Sequence, residues 1–107
     1  GALGGMIRTN NLTGRLKDMK VKNMTSAKGN KIANQFIIID DNNDVTFQSY
    51  NSVIAKIIHN GLIYLDSYFW DYSVTTGKYR NQFLGEGIAD TRKKIEQGIY
   101  ILTDLNS

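Results

Sequence analysis

The chain has 107 residues, 41% of them hydrophobic, with no cysteine and a formal net charge of +3. That length holds one domain, not two, and the apolar fraction is enough for a core. The lack of cysteine excludes a disulfide scaffold, a thiolate zinc site and a cysteine nucleophile, and no apolar run approaches the ~20 residues of a membrane-spanning helix.

The charge is unevenly spread. Residues 1–31 hold Arg8, Arg15, Lys17, Lys20, Lys22, Lys28 and Lys31 against one acid, Asp18, for a net +6; residues 32–107 hold six basic residues against nine acids, for a net −3. A basic arm over 1–31 and a single folded domain over 32–107 are therefore expected. Within the arm, Gly1–Gly5 reads as a vector remnant, and Met6 or Met19 is the natural start. No apolar segment follows a basic start, as a secretory signal would require, and a cytoplasmic protein is expected. A basic arm can track a phosphate backbone, but a polar, weakly periodic one is also what a solubilising tail looks like.

In chain order, residues 20–24 suggest a short edge strand. Residues 34–40 are rich in β-branched and aromatic side chains and read as a strand, and the turn residues 41–44 lead to a second, 45–50, in which Val45, Phe47 and Ser49 alternate with polar neighbours. Residues 52–58 fit either period, but their β-branched content and the Asn60-Gly61 turn favour a strand, with 62–68 as its return. From Asp71 the pattern turns helical. Ser73 or Thr75 can cap the first helix, Tyr79, Phe83 and Leu84 share a face, and Gly85 stops it. A second helix is expected over 89–97 with Asp90 as N-cap and Gly98 as stop, then a short buried strand over 99–102. The order β-β-β-β-α-α-β predicts an α+β fold: a mainly antiparallel sheet of four or five strands carrying two short helices on one face. Phe36, Ile38, Phe47, Val53, Ile57, Leu62, Phe83, Ile95 and Ile101 are the expected core.

The run Ser73-Val74-Thr75-Thr76-Gly77-Lys78 puts hydroxyls and a lysine at a helix start, where free N–H groups attract anions. Ser73, Thr75, Thr76 and Lys78 form a candidate anion site, although the run lacks the first glycine of a Walker A loop and the Ser or Thr after its lysine. Ordinary capping explains the same residues. Tyr64, Tyr68, Phe69, Trp70, Tyr72 and Tyr79 form an aromatic stretch. Most should enter the core, with Tyr68 and Tyr72 left at the surface, where exposed rings beside cations can stack on unpaired bases. The cations expected at a nucleic-acid interface are Arg8, Arg15, Lys17, Lys20, Lys22, Lys78, Arg80, Arg92, Lys93 and Lys94. Asp40, Asp41 and Asp44 with Asn42 and Asn43 read as a hairpin turn and not a calcium loop, since the glycine and distal glutamate are missing. His59 reads as an exposed turn residue. No paired carboxylates stand at catalytic spacing, so neither a catalytic residue nor a cofactor or metal is expected.

The segments Phe47-Gln48-Ser49-Tyr50-Asn51-Ser52-Val53-Ile54-Ala55, Tyr72-Ser73-Val74-Thr75-Thr76-Gly77-Lys78-Tyr79 and Phe83-Leu84 resemble a pattern in small uncharacterised proteins of tailed bacteriophages and mobile elements. The resemblance spans residues 34–84. It implies a phage-type accessory protein and transfers no catalytic residue. Together these readings lead to a non-enzymatic protein that binds nucleic acid or, alternatively, binds and inhibits or redirects a host protein. A small phosphate-handling enzyme is the weakest reading.

Overall fold

The computed structural model describes residues 19–107. The strands are β1 (Lys20–Thr25), β2 (Lys31–Ile39), β3 (Val45–Ser49), β4 (Ser52–Ile57), β5 (Ile63–Asp66) and β6 (Tyr100–Thr103), with helices α1 (Val74–Leu84) and α2 (Ile88–Glu96) between β5 and β6. They form one six-stranded sheet in the order β1-β2-β3-β4-β5-β6. The first five strands are an antiparallel meander, and β6 pairs with β5 in parallel. The α+β class and the placing of the helices after the hairpins are as the sequence predicts. The sheet has one strand more than expected because the suggested edge strand, β1, does pair with β2, over Lys20–Asn23 and, after a shift of register, again at Thr25. The boundary placed at residue 31 therefore falls inside the sheet: Lys20, Lys22 and Lys31 belong to strands, and Lys28 to the turn between them.

Turn chemistry replaces the missing proline. Asp40 Oδ1 accepts the N–H groups of Asn42 and Asp44, and Asn43 sits at φ 66°. Gly61, at φ 93°, closes the β4–β5 turn through a 2.8 Å bond from its N–H to the Ile58 carbonyl. His59 is exposed there, as expected. Its backbone N–H and its ring bond Asp44 at 2.8 and 3.1 Å and hold that carboxyl below its ordinary value, the backbone bond first.

Register decides which residues meet the helices. Ile37, Phe47, Ala55 and Leu65 lie opposite one another in successive strands and so share a face. Phe83 of α1 and Ile95 of α2 pack on that face. A bulge in β4 adds Ile54: Ala55 pairs with Phe47 and Val53 with Gln48, which leaves Ile54 between them, buried beside Ala55. Two consecutive inward residues explain why 52–58 also fits a helical period.

The opposite row, Val21, Ile38, Thr46, Lys56, Tyr64 and Ile101, lies on the other face of the sheet. Among the described residues two short helices cover one face only. Phe36, Ile38 and Val53 are accordingly half-buried on the far face, and Ile101 is exposed. Ile57, Leu62, Phe83 and Ile95 are half-buried, and of the nine expected core residues Phe47 alone is fully buried. The last strand is likewise not buried throughout: Tyr100 is, whereas Ile99, Ile101 and Leu102 are exposed, because among the described strands β6 is an edge.

Ser73 caps α1, and Gly85, at φ 71°, ends it in the left-handed conformation. In α2 the N-cap is Gly87, and Asp90 lies inside the first turn, where its charge suits the helix dipole. The end of β5 is tied by Asp66, 2% exposed. Its Oδ2 accepts the N–H groups of Tyr68 and Phe69 at 3.0 and 2.8 Å, and its Oδ1 those of Leu105 and the Asn106 side chain at 2.8 and 3.0 Å. Asn106 in turn bonds both the N–H and the carbonyl of Val53, at 2.7 and 2.9 Å, continuing the ladder where β5 has ended.

Candidate functional site

Asp66 fixes the turn that follows β5, and that turn carries Trp70, Asp71, Tyr72 and Ser73 to the start of α1. The Ser73 hydroxyl accepts the Thr76 N–H at 3.1 Å, and its carbonyl the Gly77 N–H at 2.9 Å. The capping reading of Ser73 is therefore correct: its hydroxyl takes one of the four free donors of the helix start, the Thr76 N–H, and its carbonyl takes the first regular helix bond.

Beside this start a groove of about 660 Å³ is lined by Asp71, Ser73, Val74, Gly77, Lys78, Arg80, Asn81, Ile88 and Arg92. Its charge is organised around Asp71. Arg80 Nη1 lies 3.1 Å from one carboxylate oxygen and Arg92 Nη2 3.3 Å from the other. Arg80 also donates to the Trp70 carbonyl and the Asn81 side-chain oxygen, both at 2.8 Å, and its guanidinium lies 5.4 Å from the centre of the Trp70 ring. A Cβ at Gly77, in mid-helix, would stand 3.6 Å from Arg80 Nη2, an ordinary van der Waals contact, so the packing around Arg80 does not itself demand glycine there. Arg80 is 1% exposed. It contributes positive charge to the groove and holds Asp71, but it is not the surface cation the sequence suggests. Lys78 and Arg92 are exposed. Three cations thus share the groove with one carboxylate, and that carboxylate is already paired.

On the other side of Ser73 a smaller hollow of about 250 Å³ is lined by Ser49, Tyr50, Ser52, Ile54, Phe69, Tyr72, Ser73, Thr75 and Thr76. The candidate anion site is therefore divided. Ser73 and Lys78 line the cationic groove, whereas Thr75 and Thr76 line the hollow, and buried Thr76 shares a 3.2 Å hydrogen bond with Ser49. Tyr68 and Tyr72 are 70% and 60% exposed, as expected, with ring centres 6.0 Å apart.

The remaining predicted cations are dispersed. Lys93 is exposed on α2 outside the groove lining. Lys20 and Lys22 are exposed on β1, the sheet edge among the described residues, where lysines discourage strand addition. Arg8, Arg15 and Lys17 lie outside the described residues. Lys94 is engaged by Glu86 at 2.6 Å, and Glu86 also accepts from Thr91 at 2.6 Å and from the Tyr100 hydroxyl at 2.9 Å. Burial pushes the Glu86 carboxyl up, but its bonds from Lys94, Thr91 and Tyr100 outweigh that and hold it below its ordinary value. The Glu86 bond raises Lys94, while burial and then Glu86 raise the Tyr100 phenol.

Glu86's depressed value means its stabilisation is full above the ordinary carboxyl value of about 4.3 and is lost as pH falls through the folded value. The raised values of Lys94 and Tyr100 mean theirs is full below about pH 10 and is lost as pH rises through the folded values. Glu86→Gln is expected to flatten both limbs of a melting-temperature profile against pH. Unchanged limbs would show that the cluster is not held as described.

Sequence reasoning missed Asp71, Asn81 and Tyr50. Asp71 has no local signal, since its partners lie nine and 21 residues away. Tyr50 takes a positive φ, which a tyrosine gives no reason to expect. Among the described residues no group of His, Asp or Glu side chains could hold a metal ion, and no helix is long and apolar enough to cross a membrane. No curated protein and no solved structure matches the chain. Residues 19–100, from the residue before β1 to the first residue of β6, match the model of a family of unknown function (DUF8033), and the chain belongs to that family.

Proposed function

We propose that this protein acts by binding nucleic acid, without catalysis, as a phage-type accessory protein in the bacterial cytoplasm. One observation carries the reading: Lys78 and Arg92, exposed, and Arg80, buried, converge on one groove whose single acid is already paired. A concave surface with excess positive charge concentrates field at its floor and attracts a polyanion. The net charge of +3 favours the same partner.

A second reading, a host-protein target, draws on the exposed apolar side chains beside the groove. Val74 is 92% exposed at the first position of α1 and lines the groove, and Tyr72 and Tyr68, shortly before it in the chain, are exposed as well. Large exposed apolar side chains at one place mark interaction surfaces. Titrating the full chain with single- and double-stranded DNA and RNA across a salt series separates the two. The proposal expects binding at low salt that weakens steeply as salt rises. No binding of any nucleic acid at low salt would contradict it and favour the host-protein target.

A further inference from the structure

The hollow beside the groove differs from it in chemistry. Its wall carries Ile54 and Phe69, its rim carries Ser52 and Thr75, and two tyrosines, Tyr50 and Tyr72, stand at it. An apolar wall with a few hydroxyls suits a flat ring with polar edges, and each hydroxyl can both donate and accept. At about 250 Å³ the space lies below the size usual for drug-like ligands and suits one ring system. Tyr50 is the telling residue. It occupies the two-residue turn between β3 and β4 at φ 55°, is 55% exposed, and makes no ring contact with Phe69 or Tyr72 of the kind those two make with each other at 5.2 Å. A bulky side chain in the left-handed region costs free energy that glycine or asparagine would avoid, and core packing does not recover it here. The ring is held outward at the hollow.

We infer that the hollow is a base-stacking site, so that the nucleic acid bound is single-stranded: Tyr50 and Tyr72 take an unpaired base while Lys78 and Arg92, across Ser73, take the adjoining phosphates. The inference rests on the nucleic-acid reading above and names its substrate class. A paired base is stacked within its duplex and presents no free face to these rings. Phosphates alone would need the groove and not the hollow. Hydroxyls that both donate and accept make the site tolerant of base identity, the usual behaviour of stacking platforms.

The test uses the full chain and three fluorescent probes of equal length: a mixed-sequence single-stranded DNA, its duplex, and an abasic single strand that keeps the phosphates. The base-bearing strand is expected to bind more tightly than either of the others. Stacking contributes about 1–3 kcal/mol per base, so Tyr72→Ala should weaken it roughly 5- to 150-fold while leaving the abasic strand unaffected. Tyr50→Gly should weaken it in the same way yet melt at the same temperature or higher, because glycine adopts the turn freely. That combination separates a ligand role from a structural one. If the duplex or the abasic strand binds as tightly as the base-bearing strand, the stacking site is wrong and the nucleic-acid reading stands. If no probe binds at low salt, both are wrong.

Discussion

Replacing Phe47 by alanine is expected to destabilise the protein by about 3–5 kcal/mol, the cost of removing a fully buried phenylalanine from a core that relaxes incompletely. Phe47 has no exposed surface and lies in the central strands between Met24 and Ile54. Its ring centre is 5.6 Å from that of Phe83, which bridges α1 to both halves of the core. Phe83 and the other half-buried side chains that pack there are already engaged, so the cavity is not readily refilled. The shift in denaturant midpoint at constant slope measures it. A cost below about 1 kcal/mol would mean that the seam between sheet and helix does not carry the stability.

Asp66→Ala should be nearly as damaging, at about 3 kcal/mol, although it removes no apolar surface. It leaves four donors, from Tyr68, Phe69, Leu105 and Asn106, without their acceptor at the end of β5, and each buried donor left unpaired costs about 1–3 kcal/mol before water and local relaxation recover part of it. Asn is not a mild replacement. Each carboxylate oxygen takes two donors, so the amide keeps one pair and turns its own NH₂ toward the other. Burial pushes the Asp66 carboxyl up, but the four bonds, led by that from Leu105, hold it below its ordinary value. Its stabilisation is therefore full above about pH 3.9 and is lost as pH falls through the lower folded value. Thermal melts at neutral pH should place Asp66→Asn near Asp66→Ala. A wild-type-like Asn variant would show that the turn does not need the charge.

The fold was legible where chemistry is local. The Asp40–Asp44 segment and Asn60-Gly61 fix their hairpins through side-chain and backbone preferences carried by those residues, and Ser73 and Gly85 bound α1 in the same way. The inward face was harder. Alternation assigns phase within a strand, but the bulge at Ile54 shifts it, and only pairing with β3 reveals the bulge. The exposure of Ile101 follows from which face the helices cover, which its own neighbours do not encode. In the candidate site, Lys78 and Arg92 could be named from charge alone. The burial of Arg80 could not, because it depends on Trp70, Asp71 and Asn81 meeting its guanidinium in space. Lys94 looked equivalent to Lys93 until Glu86 reached it from the preceding loop.

Whether the groove between α1 and α2 takes phosphates is tested most directly by the salt dependence of single-strand binding in Lys78→Ala/Arg92→Ala compared with the unaltered protein. Each phosphate that is no longer neutralised should flatten the slope of log affinity against log salt by about 0.7, so the double variant should be shallower by roughly 1.4 as well as weaker. Lys93→Ala, which removes an exposed cation from α2 outside the groove, should leave the slope unchanged. An unaltered slope in the double variant, or an equal flattening in Lys93→Ala, would contradict phosphate binding in the groove.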